Sequence, residues 1–331
     1  MSRNSAAATL AAWMAAVVLL DAQTPLKIGT IAPDNSIYVK TLREMAEGWR
    51  RRTNGRITAH VYPGGDNTEE SLLRNMRPSY RRLQVAQLSS ITLGNLDAAF
   101  NVFGLPMFFE SYGEADCVLD ALNPDLQERL HAKGYHALNF AFAGWVHVFS
   151  KKPVVKVDDL RKLPLYVSTG DDRLARWFSA NGFEPVQLDA TSMLTSLQTN
   201  MIEAVPSPPL FAQLLSWYKS APYMMNIGFA PLMGSTVMSL DAWNSLTLED
   251  QRVVADEGKK AGERLRVEIP RLETEAIEVM RKTGMTVTTV DAAEWRRVAD
   301  RLGDAMRTDG VVPGMFYDRA KRQRDAFRAG R

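Results

Sequence analysis

Residues 135–150 read YHALNFAFAGWVHVFS, an apolar run broken once, at Gly144. Strands in globular domains usually hold about five or six residues. A run this long predicts a strand that leaves one sheet and crosses toward another, with the glycine marking the irregular point. Its alternation places Trp145 and His147 on one face and Val146 and Val148 on the other. The sequence leaves open which pair faces the space between the sheets.

Upstream, Leu26 to Ile31 reads as a short strand ending in Ala-Pro-Asp-Asn-Ser, where Asn35 or Ser36 caps a helix over 37–52. Leu42, Met45, Ala46 and Trp49 fall at helical spacing, and the charged residues lie largely on other faces. Asn54-Gly55 stops that helix, 57–62 alternates like a strand, and Pro63-Gly64-Gly65 turns it. Strand, helix, strand is the unit of a parallel sheet. A strand at 83–88 follows, then an apolar loop over 100–109 and helices over 114–122 and 124–132.

Downstream, strands at 165–167 and 186–188 flank a helix over 171–180. Helices over 191–203 and 209–219 come next, and the chain returns through a strand-like stretch within 224–240. Thr247, with Glu249 and Asp250 in the first turn, starts a long helix that runs to near Gly284 and should kink at Pro270. A strand over 285–290 and a helix over 291–308 close the pattern. With no low-complexity linker, the expected class is α/β in two lobes, joined by crossing strands rather than a flexible tether. Lobe I spans 23–144 and is completed by about 224–246. Lobe II spans 145–223, and 247–331 pack on both.

Composition narrows the function. The chain has 331 residues and a formal net charge of +2, so nothing in the balance favours nucleic acid. Arg3 precedes an uncharged run over 6–20, which reads as a signal peptide over 1–22 cleaved near Ala22, with an uncleaved anchor as the alternative. The run is shorter than the roughly 18 residues of a spanning helix, and no other stretch could span a membrane. Export to the periplasm is the expectation, and the lone Cys117 suits an exported protein without a disulfide.

Catalytic patterns are missing from the sequence. His60, His131, His136 and His147 share no metal-ligand spacing, and there is no nucleophile elbow, phosphate loop or dinucleotide fingerprint. Asp116 and Asp120 beside Cys117 disfavour its thiolate. A binding protein without metal or cofactor is expected ahead of a periplasmic enzyme on the same scaffold. A ligand sensor is the other alternative.

Several phrases, in order over nearly the whole chain, resemble the extracytoplasmic receptors of tripartite ATP-independent periplasmic (TRAP) transporters, of the dicarboxylate-receptor type. They are LKIGTIAP at 26–33, VYPGG at 61–65, GLPMFF at 104–109, Lys152-Pro153-Val154 with Asp158-Asp159-Leu160, and LTSLQTNMIEAVP at 194–206. The resemblance implies a periplasmic-binding-protein-like fold: two α/β lobes, strands crossing between them and a long helix beneath both. It also implies a receptor that closes on a small organic ligand and hands it to integral membrane subunits.

In that family an arginine clamps a ligand carboxylate where this chain has Tyr166, and a second arginine stands where it has Val146. Neither can form a bidentate fork with a carboxylate, so a neutral or largely apolar ligand is expected. Arg173 and Arg176 are the nearby residues that could supply charge. The candidate ligand-binding residues are Tyr166, at a strand end where α/β sheets place ligands, and Trp145 and His147 on the crossing strand. Ser207 and Pro208 belong to a stiff segment, and Asn35 and Tyr38 flank the first strand–helix junction. Gln87 and Ser89 end the third strand, and Phe103 is a possible platform in the apolar loop.

Overall fold

The computed structural model describes residues 25–64 and 68–330. The signal-peptide expectation for 1–22 and the side chain of Arg173 lie outside what it describes. The strands are β1 (Leu26–Thr30), β2 (Ala59–Pro63), β3 (Val85–Ser89), β4 (Tyr135–Trp145), β5 (His147–Ser150) and β6 (Pro164–Ser168). They continue with β7 (Glu184–Leu188), β8 (Ala204–Ser207), β9 (Tyr223–Met225), β10 (Pro231–Ser239) and β11 (Thr286–Thr288). They form two sheets, ordered β2-β1-β3-β10-β4 and β11-β9-β5-β8-β6-β7.

Both sheets are covered on both faces, which is why their inner strands are almost continuously apolar. One face of the first sheet packs Leu88, Phe140 and Val237 against Phe100, Phe103 and Leu119. The other packs Ile28 and Val85 against Leu42 and Trp49, together with Val254 and Leu265 of the long helix. The second sheet buries Val148 and Leu165 with Trp295 on one side, and Phe149 and Val205 with Trp217 on the other. The long helix runs Leu248–Lys282 with Pro270 inside it. It puts Val254, Ala261 and Ile269 into the first lobe's core and Met280 into the second's.

The run that opened the reading does cross between sheets, but it breaks at Val146 rather than at Gly144. β4 ends at Trp145 and β5 begins at His147. The second crossing is 226–230, between β9 and β10. The two crossings bond to each other: Val146 N–H donates to Ala230 O at 2.8 Å, and Phe229 N–H donates to Val146 O at 2.8 Å. Tyr223–Met225 pairs with β5 and β11, so the return to the first sheet starts after Met225.

Other differences have local causes. Pro124 does not split the helix Tyr112–Ala132, because the buried stripe Leu119, Leu122, Leu126 and Leu130 continues through it. The segment 98–104 is a 3-10 helix, not a loop, started by the Asp97 carboxylate accepting from Ala99 N–H. The helix expected over 191–203 stops at Gln198, and Ala204–Ser207 is a strand despite Pro206. β6 pairs with β8 only at Leu165 and Ala204, so the missing N–H of Pro206 falls past the end of that ladder. The helix over 209–219 breaks at Ser216, whose φ is 58°.

Candidate functional site

A cleft of about 960 Å3 opens between the lobes. On the first lobe's side it is walled by Ser90, Ile91 and Asn95 of the helix Ser90–Leu96. The crossings contribute Val146, Ala230 and Pro231. The second lobe contributes Val148, Tyr166 and Pro206, then Asp172, Arg176 and Trp177 of the helix Asp172–Ala180. Trp295, Leu302 and Met306 line its far end.

Strand register decides which pair from the crossing run faces this space. β5 and β8 are antiparallel, with His147 opposite Ser207 and Val148 opposite Pro206. Directly opposed residues share a face. Val148 and Pro206 therefore point into the cleft together, with Val146 two residues before Val148.

His147 and Ser207 take the other face. The His147 ring pairs through Nδ1 with Met225 O at 3.1 Å. Burial pushes its pKa down, against the opposing pull of the Met225 and Ile227 carbonyls, so the ring is a neutral donor that staples the two crossings. Ser207 is 3% exposed, and its hydroxyl donates to Pro208 O. Trp145 packs edge-on against Tyr112 at 5.3 Å and fills the space beside Gly228, where a Cβ would stand 2.0 Å from its ring. His147 and Trp145 tie the two crossings to each other, and Ser207 bonds only to its own neighbour.

Most of the other expected contacts lie away from the cleft. Tyr38 is buried, stacks on Phe211 at 5.0 Å and donates to Ala143 O at 2.6 Å. Phe103 is fully buried between Phe109 and Phe142. Asn35 is exposed, and Ser36 rather than Asn35 caps the first helix. Gln87 accepts from Thr30 Oγ1 at 3.0 Å. Pro208 lies against Gly144, where an added Cβ would stand 2.6 Å from the proline's own Cβ.

Tyr166 lines the cleft, whereas Ser89 lies outside its lining and is tied to Glu69. Ser89 donates from N–H at 3.0 Å and from Oγ at 2.8 Å to Glu69. Burial raises the Glu69 pKa, and the Thr92 and Ser89 bonds oppose the rise. The Tyr166 phenol is pushed up to about 12, chiefly by burial and then by the charges of Asp189, Glu70 and Glu69. The end of β6 thus looks across at the start of the helix Glu69–Met76. Sequence reading missed Glu69. Its local signal is the capping box of Thr68 and Ser71, which fixes a helix start but not what the helix faces.

The family model for bacterial extracellular solute-binding protein, family 7 (DctP), matches residues 28–309. The chain belongs to this family. The resemblance to TRAP receptors read from the sequence is thereby established, and the family is one of receptors rather than enzymes. A solute-binding protein from Sulfitobacter sp. (strain NAS-14.1) is 24% identical over 243 residues, 73% of each chain. A TRAP periplasmic solute-binding protein from Xanthobacter autotrophicus Py2 with bound beta-D-galacturonate superposes with a TM-score of 0.83. It is 20% identical, over 91% of this chain and 99% of that one. One from Haemophilus influenzae RdAW with bound L-gulonate has the same TM-score, identity and coverage. These structures share the two-lobe α/β fold with the receptor described here.

Within this receptor Arg176 is exposed at the cleft and makes no ion pair among the described residues. It is the one arginine among the described side chains of the lining. Among the described residues there is no group of three or more metal-binding side chains, and no helix is long and apolar enough to cross a membrane.

Proposed function

We propose that this receptor is exported to the periplasm, closes its cleft on a neutral or largely apolar organic solute, and delivers it to TRAP-type integral membrane subunits. The observation that carries the ligand class is the cleft wall itself. Val146 and Tyr166 line it at the two positions where the resembled family carries arginine, and Val148, Pro206 and Trp177 add apolar lining from the sheet face opposite Tyr166. A carboxylate buried there would lose charge-assisted bonds of roughly 1.5–3 kcal/mol each while keeping its desolvation cost. Glu69, Glu70 and Asp189, whose charges reach the Tyr166 phenol, add repulsion. A neutral ligand avoids both costs. It would rest on Val146 and Tyr166 and take its few polar contacts from Ser90 and Asn95.

A second reading has one observation in its favour. Two structurally similar receptors hold sugar acids, and Arg176 is a cation at the cleft without an ion-pair partner among the described residues. A monoacid pointing its carboxylate at Arg176 would fit. A thermal-shift screen separates the readings, because a ligand that binds only the folded state raises the melting temperature. Neutral aromatic and alicyclic compounds should stabilise the wild type, and Arg176→Ala should keep that response. Stabilisation by galacturonate or gulonate that Arg176→Ala abolishes would establish the second reading. Stabilisation by sugar acids that survives Arg176→Ala would refute both.

A further inference from the structure

Three side chains from three different helices converge on one turn of backbone just before the first crossing. Tyr38, of the helix Ile37–Arg52, donates to Ala143 O at 2.6 Å. Glu273, of the long helix, accepts from Trp145 N–H at 2.6 Å. Tyr112, of the helix Tyr112–Ala132, donates its hydroxyl to the same carboxylate. Between them lies Gly144 at φ 128°, with Glu273 Oε1 and Pro208 Cβ each 2.6 Å from where its Cβ would be. Pro208 follows directly on β8 of the second sheet, so both lobes and the long helix meet at this point.

We infer that Glu273 is a positioning residue for ligand-driven closure: its carboxylate ties the long helix to the crossing strand at Trp145 and sets how tightly the hinge is held. The residue is 6% exposed, and no cation among the described residues faces it. Its partners are the Tyr112 hydroxyl and one backbone N–H, and both bonds are strongest when the carboxylate is charged. The titratable groups around it are Tyr38 and Tyr112, both pushed far up by burial, and beyond them Asp116, which is ion-paired to Arg266. Burial raises the Glu273 pKa to about 7, against the pull of those two bonds. Protonation near neutral pH therefore exchanges a charge-assisted bond to the hinge for a neutral one.

The inference rests on the receptor reading for the meaning of closure, but its readout needs no ligand. Amide hydrogen exchange, corrected for the intrinsic pH dependence, should be measured on the peptide spanning 143–148 between pH 5.5 and 8.5. Peptides from β1 serve as the internal reference. Wild-type exchange should slow about tenfold as pH rises through 7, the difference between a neutral and a charge-assisted bond. Glu273→Gln, which imitates the protonated acid, should exchange at the fast rate at every pH. Tyr112→Phe removes a bond that lowers the Glu273 pKa, so its transition should move to higher pH. Hinge exchange is read as its ratio to the reference peptides, which also report any change in global stability. A pH step that persists in Glu273→Gln, or a Tyr112→Phe transition that moves down or stays put, would overturn the assignment.

Discussion

Gly144→Ala should cost this receptor about 3 kcal/mol or more of folding stability. Ordinarily a glycine-to-alanine change in an accommodating site stabilises by about 0.4–1 kcal/mol through the unfolded chain. Here the backbone has φ 128°, a region that costs other residues about 1–3 kcal/mol. The new methyl would also stand 2.6 Å from Glu273 Oε1 and from Pro208 Cβ. Neither neighbour can swing clear, because Glu273 is held by Tyr112 and Trp145 and the proline ring is rigid. Overpacking of this kind adds about 1–3 kcal/mol. Urea unfolding followed by circular dichroism measures the sum. A midpoint within error of the wild type would mean that the hinge is not packed as described.

Glu273→Gln should have the opposite sign at alkaline pH. The carboxyl has a pKa of about 7 in the folded state against an ordinary value of 4.5, with burial as the main cause. Between those two values the folded chain holds a proton that the unfolded chain has released. The stabilisation from this raised pKa is complete below pH 4.5 and is lost as pH rises through 7. The wild type should therefore lose about 3 kcal/mol across that window from this group alone. Glutamine cannot ionise, so the variant should lack that part of the slope and melt higher than the wild type at pH 8. Asp116, raised to about 6 mainly by burial, contributes to the slope of both proteins and cancels in the comparison. Equal melting temperatures at pH 8 would show that the buried charge is compensated by something else. Gaining stability while loosening the hinge is what a residue retained for function at a stability cost should do.

The sequence made the architecture legible through its long regular elements. The helix over 37–52 was readable because Leu42, Met45 and Trp49 share a face and Asn54-Gly55 ends it. The long helix was readable because Thr247 caps it and its apolar stripe repeats for many turns. What sequence periodicity could not supply was register between distant strands. His147 and Val148 are equivalent in the sequence pattern, and only the pairing with Ser207 and Pro206 turns the valine to the cleft. Glu69 escaped for the same reason: its bond to Ser89 spans 20 residues and depends on how a helix start meets a strand end. Trp145 has the chemistry of a ligand platform. Gly228, far along the chain, gives it a close-packed place in the hinge instead.

Calorimetric titration of the metal-free receptor with succinate puts the missing arginines to the test. Tyr166 and Val146 leave the cleft wall without the two forks that a diacid needs, and two missing bonds correspond to about two to four decades in affinity. No binding tighter than millimolar is expected at neutral pH. Sub-micromolar binding of succinate would contradict that expectation.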